Sequence, residues 1–275
     1  MTLPRELDPS SSVLAFFGAE LRRYRETSNL SQERLGKAIN YTGALVGLIE
    51  TARRSPSKDL AERCDAVLET DGALMRLWAL VQRGAFPEWV RDFVELEATA
   101  SAIRSFECQL IPGLLQVEEY ARAVLRVRPS RFSPAQLDEA VAARLSRQSI
   151  LSGSSPPLAW YILDEAILRR PIGDKATMRA QLARLLDVGD SPHVFVQVVP
   201  FTAGEYPGLD GGLTLLSFDE RPDVGYMEGH GGSAVLIESP GQVAECSLAY
   251  DMTRAVALSP KLSADMIAAA MEDYS

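Results

Sequence analysis

The run SQERLGKAINYTGALVGLIE, from Ser31 to Glu50, constrains the fold more than any other stretch of the chain. Ser31 and Thr42 are both favourable N-cap residues, because a side-chain hydroxyl can accept a backbone N–H left without a partner at a helix start. Behind Ser31, Leu35 and Ile39 recur at helical spacing, and behind Thr42 so do Leu45, Val46 and Ile49. Two helices within one short segment leave room only for a tight turn, so neighbouring segments must cover their apolar faces. VLAFFGAELRRYRETS supplies Leu14, Phe17, Leu21 and Tyr24 three or four residues apart. In RRSPSKDLAERCDAVL, Ser55 suits an N-cap and Pro56 the first helical position, with Leu60, Cys64 and Val67 along one side. DGALMRLWALV adds Leu74, Leu77, Trp78 and Val81. The pattern predicts an all-α domain of five helices over residues 12–82, behind a disordered tail at 1–11.

The texture changes after Pro87. PEWVRDFVELEATA predicts a connecting helix over 83–100. AIRSFECQL is ambiguous between a short strand and irregular chain. PGLLQVEEYARAVL and SPAQLDEAVAARLSRQSILSG read as helices. LAWYIL and HVFVQVVPF flank the helical DKATMRAQLARLLDV, which suits a parallel crossover. GGLTLLSF, DVGYME and SAVLIES follow with Gly-rich or Pro-containing turns and suggest an antiparallel meander. Two helices, 241–258 and 260–274, close the chain. Residues 101–275 are therefore expected to form an α+β domain with a mixed, mainly antiparallel sheet.

Charge is distributed unevenly. Between Ser12 and Lys58 there are eight Lys/Arg against four Glu, whereas beyond Gln82 there are 17 basic against 26 acidic residues. A basic segment can dock on phosphate even in an acidic chain, since charges beyond a Debye length of about 8 Å are largely screened. No apolar run is long enough to span a bilayer, and the N-terminus lacks the pattern of a secretory signal. The three cysteines, Cys64, Cys108 and Cys246, are widely spaced and form no C-x-x-C pair. They read as reduced residues of a cytoplasmic protein without a membrane anchor.

The Ser31–Thr42 spacing suits helix-turn-helix geometry, in which one helix crosses the DNA backbone and the next enters the major groove. LSQERLGKAI, VGLIE and RRSPS together resemble the five-helix DNA-binding domain of the xenobiotic-response-element family, the Cro/C1 type, over about Val13–Val81. The resemblance implies double-stranded DNA as partner. It implies that Gln32 bonds a phosphate through its side chain, and that Arg25 and Glu50 form a structural ion pair. Arg53 and Arg54 would grip the backbone, while Thr42, Gly43, Ala44, Gly47 and Leu48 face the groove. That face departs from the pattern of direct readout, which uses long donor and acceptor side chains. Three readings follow. Thr42 and Ala44 read thymine methyls, or Arg34, Lys37 and Arg53 make the specific contacts, or the module has lost DNA binding. Weak readout at each half-site would favour a homodimer on two half-sites about 34 Å apart.

IPGLLQVEEYARAVL, ARLSRQSIL, LDEAILRRPIG and VVPFTAGEYPGLDGGLTLLSF resemble the uncharacterised domain that follows helix-turn-helix modules in WhiJ-like actinobacterial regulators, from about Glu88 onward. This implies a cytoplasmic transcriptional regulator that works with a small partner protein and has no established catalysis. The residues agree. His193 and His230 lack metal-ligand spacing, no G-x-S-x-G elbow occurs, and EGHGGS reads as a hairpin turn. No metal, cofactor or catalytic residue is expected. Gln116, Arg147, Gln148, Glu165, Tyr226 and Glu228 lie beside apolar runs, where they either line a ligand or partner site or tie helices to the sheet. The alternative to a regulator is an antitoxin-like interaction scaffold.

Overall fold

The computed structural model describes residues 8–10, 12–85, 88–127, 132–229 and 233–274. Most of the expected tail, and His230, lie outside them. The chain divides into two compact units, residues 1–88 with 130–146, and residues 89–129 with 147–275.

The first unit opens with α1 (Val13–Thr27), α2 (Gln32–Ala38), α3 (Gly43–Glu50), α4 (Lys58–Leu68) and α5 (Ala73–Ala85). The side chains of Ser31 and Thr42 cap α2 and α3 as expected, each accepting at 3.2 Å from the N–H three residues on. The start of α4 differs from expectation. Ser57 caps it, accepting from the Leu60 N–H at 3.2 Å. Pro56 lies before the helix, and its carbonyl accepts from Trp78 Nε1 at 3.2 Å. Leu68 rather than Val67 continues the buried row of Leu60 and Cys64, and Val67 is exposed. Asp65 accepts the backbone N–H groups of Leu74 and Met75, both at 2.9 Å, which joins α4 to the first turn of α5.

The rest of the chain runs α6 (Glu88–Glu97), β1 (Ala102–Glu107), α7 (Glu118–Arg126), α8 (Pro134–Arg147), β2 (Leu158–Asp164), α9 (Glu165–Arg169), α10 (Lys175–Gly189), β3 (Val194–Val199), β4 (Leu213–Ser217), β5 (Val224–Glu228), β6 (Ala234–Ile237), α11 (Pro240–Val256) and α12 (Pro260–Glu272). The sheet order is β3-β2-β1-β4-β5-β6. β1, β2 and β3 pair in parallel, and β1-β4-β5-β6 pair antiparallel. The crossover and the meander both form as expected. The ambiguous AIRSFE segment is the strand that joins them, so a parallel half, β3-β2-β1, meets an antiparallel half at β1. Strand alternation divides the core. Ile103, Tyr161, Leu163, Val196 and Leu216 share one cluster with Met178 and Leu182 of α10 and Ile267 of α12. Phe106, Ile162, Val199 and Leu215 share the other with Val243 and Tyr250 of α11.

One helix departs from the expected domain division. Most of α8 belongs to the first unit. Its Ala142 is buried in the same core as Leu14, Phe17, Leu35 and Val46. The helical unit is thus five consecutive helices plus a sixth that arrives from later in the chain. Apolar periodicity marks the buried face of α8 but not the neighbour that buries it.

Candidate nucleic-acid interface

The first unit is organised around one buried carboxylate. Glu50, at the end of α3, has no exposed surface. Arg25 of α1 grips it with both sides of the guanidinium, Nε to Oε1 at 2.5 Å and a terminal nitrogen to Oε2 at 3.0 Å. Another Arg25 nitrogen donates to the Leu30 carbonyl at 2.8 Å, fixing the turn before α2. Gln32 of α2 donates Nε2 to Glu50 Oε2 at 2.7 Å, and Arg22 stands 3.9 Å from that oxygen. The expected Arg25–Glu50 pair is present, and it gathers α1, α2 and α3 on one anion. Bonding to Glu50 holds the Arg25 guanidinium more firmly protonated than usual.

Gln32 also serves within the unit. One of its two amide protons is committed to Glu50, so only the other remains for a phosphate. The same geometry explains Gly43 and Gly47. A Cβ on Gly43 would lie 2.8 Å from Glu33 Cα, and one on Gly47 would lie 3.0 Å from Gln32 Oε1. A Cβ on Gly36 would lie 2.7 Å from the backbone nitrogen of Gly43. A side chain at any of these positions would therefore enter the contact between α2 and α3. Glycine permits the close helix approach at Gly36 and Gly43, where a Cβ would meet backbone; at Gly47 it would meet the end of the Gln32 side chain.

The outer side of α3 carries Thr42, Ala44 and Leu48, all exposed. Thr42 is occupied as the cap, so this side is short and apolar. Arg34 and Lys37 on α2, and Arg53 after α3, are exposed. The N–H groups of Arg53 and Arg54 both donate to the Leu48 carbonyl, at 2.8 and 3.2 Å, which folds the exit loop back on the end of α3. Arg54 is half-buried, and its guanidinium donates to the Leu145 carbonyl of α8 at 3.4 Å. Its expected grip on the DNA backbone thus competes with a contact inside the unit.

Of the six polar residues singled out in the second unit, Gln116 and Gln148 are brought together. Gln116 donates to the Ile111 carbonyl at 2.6 Å, and Gln148 donates to the Gln116 carbonyl at 2.6 Å. Together with Gln181, which bonds Val117 N and Leu115 O, both at 2.8 Å, they fasten the 111–117 segment. Arg147 forms a largely buried pair with Glu97 at 2.6 Å. Glu165 accepts from the Phe201 N–H at 2.9 Å and pairs with Arg169 at 3.3 Å. Tyr226 stacks on Phe93 with ring centroids 4.0 Å apart, and Glu228 lies exposed at the end of β5. The contacts of Gln116, Gln148, Arg147, Glu165 and Tyr226 fasten loops, helices and the sheet.

A cleft of about 270 Å³ in the first unit is lined by Arg22, Arg23, Glu26 and Glu50. One of about 550 Å³ in the second is lined by Leu110, Val124, Arg126, Val127, Pro171 and Ile172, none of them foreseen from the sequence. Glu107 was also missed. It ends β1 with its carboxyl beside Gly212, and burial, with the nearby charge of Glu228, pushes it up to about 8. In AIRSFE it reads as an ordinary strand-end acid. Among the described residues no group of three or more His, Cys, Asp or Glu is placed to hold a metal ion, and no helix is long and apolar enough to cross a membrane.

Comparison with known families finds a match to a helix-turn-helix domain over residues 17–78, from within α1 to within α5. No curated protein and no solved structure matches. A family described as a domain of unknown function, DUF5753, matches residues 90–269. That match spans more than half of the chain, and the chain belongs to this family.

Proposed function

We propose that the chain is a DNA-binding transcriptional regulator of the Cro/C1 type, with a WhiJ-like C-terminal domain that dimerises or receives a signal from a small partner protein or ligand. The observation that carries this reading is the surface of α2 and α3. An uncluttered face of Thr42, Ala44 and Leu48 belongs to a helix pair that also exposes Arg34, Lys37 and the following Arg53. The short face permits close approach to base edges, and the cations neutralise phosphates. The reading places the protein in the cytoplasm, on duplex DNA as a homodimer, and gives it no catalytic role.

Affinity of the full chain for duplex DNA, titrated with salt, tests the proposal. Log K should fall steeply with log salt, and Arg53→Ala should reduce the slope by about one phosphate contact. Absence of binding at low salt would refute it. The second reading, an interaction scaffold, draws on the apolar exposure of Ala44 and Leu48, which also suits a protein surface. It predicts that Leu48→Asp abolishes capture of a protein partner by a chain that ignores DNA.

A further inference from the structure

The glycines of α3 leave space that α2 fills. Gln32 lies where a side chain on residue 47 would begin. At residue 43, a Cβ would meet not only the backbone of Glu33 but also its side chain, 3.1 Å from Cγ. Glu33 is therefore laid beside Gly43 at the first turn of α3, and is itself exposed. Among the described residues it takes part in no hydrogen bond or ion pair, and its carboxylate remains available to a ligand. The side chains that α3 itself exposes offer little polar chemistry, since the Thr42 hydroxyl caps the helix and Ala44 and Leu48 are apolar.

We infer that Glu33, carried on α2, is a base-reading residue of this interface, and that the base it selects is cytosine. A carboxylate on the major-groove side can only accept hydrogen bonds. Cytosine N4 is a donor on that edge, guanine offers only acceptors there, and the N6 donor of adenine is flanked by the N7 acceptor, which repels a carboxylate. A carboxylate also repels phosphate, so it strengthens binding only where it meets a donor. Glu33 thereby supplies discrimination, while Arg34, Lys37 and Arg53 supply sequence-independent attraction. This inference rests on the DNA-binding reading above. Its particular content is that the specificity of this glycine-containing recognition helix is borrowed from the preceding helix.

Selection of bound duplexes from a randomised library by the full chain tests it, with Glu33→Gln and Glu33→Ala in parallel. The wild type should enrich cytosine at one position of each half-site. Glu33→Gln should shift that position toward adenine, which a carboxamide can bond through N6 and N7, with a preference change of about tenfold or more. Glu33→Ala should flatten the position and bind unrelated duplexes at least as tightly, because a charge repelling phosphate is gone. A purely structural role at the start of α2 would change stability or overall affinity and leave the preferred base untouched. Identical selected sequences for all three proteins would overturn the inference while leaving DNA binding intact. Failure of the wild type to retain any duplex would instead overturn the reading on which it rests. Thermal unfolding of each variant identifies a loss due to misfolding, and in that event Glu33→Asp, which keeps the charge on a shorter arm, must preserve the choice of cytosine with weaker discrimination.

Discussion

Replacing Arg25 by Met tests whether the Glu50 carboxylate organises the helical unit. Glu50 is completely buried, and Arg25 supplies two of its hydrogen bonds. The methionine would fill part of the space but leave the anion with Gln32 and with Arg22 at 3.9 Å. Removing one partner of a buried pair costs about 3–5 kcal/mol, because the remaining charge has lost both water and counter-ion. For a helical unit of this size, 1 kcal/mol corresponds to roughly 4–8 °C in midpoint, so a fall of more than about 12 °C is expected. Far-UV circular dichroism of the full chain in a thermal and a urea series measures it. Glu50→Leu in the Arg25→Met background should recover much of the loss, since an apolar replacement of a whole buried pair is often close to neutral. A loss below about 1 kcal/mol in the single variant, or a double variant no better than the single, would refute the reasoning.

Gly43→Ala introduces a Cβ 2.8 Å from the Glu33 backbone and should cost about 1–3 kcal/mol by overpacking, with α2 and α3 forced apart. DNA affinity should fall by more than the stability loss explains, as fluorescence anisotropy on folded protein would show. Glu107 gives the pH dependence. Its carboxyl is raised to about 8 in the folded chain from an ordinary 4.5, so between those values the unfolded state releases a proton that the folded state keeps. Stability should therefore decline as pH rises through that window, by at most about 3–5 kcal/mol from this group. Glu107→Gln should remove the decline, giving a variant more stable than the wild type at pH 8 and little different below pH 4.5. Urea midpoints measured across the range decide this, and parallel curves for the two proteins would refute it.

The helices of the first unit were legible in the sequence because their determinants are local. A hydroxyl at Ser31 or Thr42 bonds an N–H three residues away, and rows such as Leu14, Phe17 and Leu21 declare a buried face whatever covers it. The parallel crossover and the meander were legible for the same reason, since strand runs and the connections between them are contiguous in the chain. Arg25 with Glu50 was reached only through family resemblance, because nothing local links residues 25 positions apart. Three features were settled by tertiary structure alone. AIRSFE became one of the two central strands, because pairing on both edges depends on partners distant in sequence. The apolar side of α8 was evident, but its burial in the core of α1, α2 and α3 was not. Gly43 and Gly47 looked like gaps in a reading surface, and only the approach of α2 showed Glu33 and Gln32 occupying that space. A sequence states which faces must be buried and which polar groups need partners, whereas the identity of the neighbour that meets each need is a property of the folded chain.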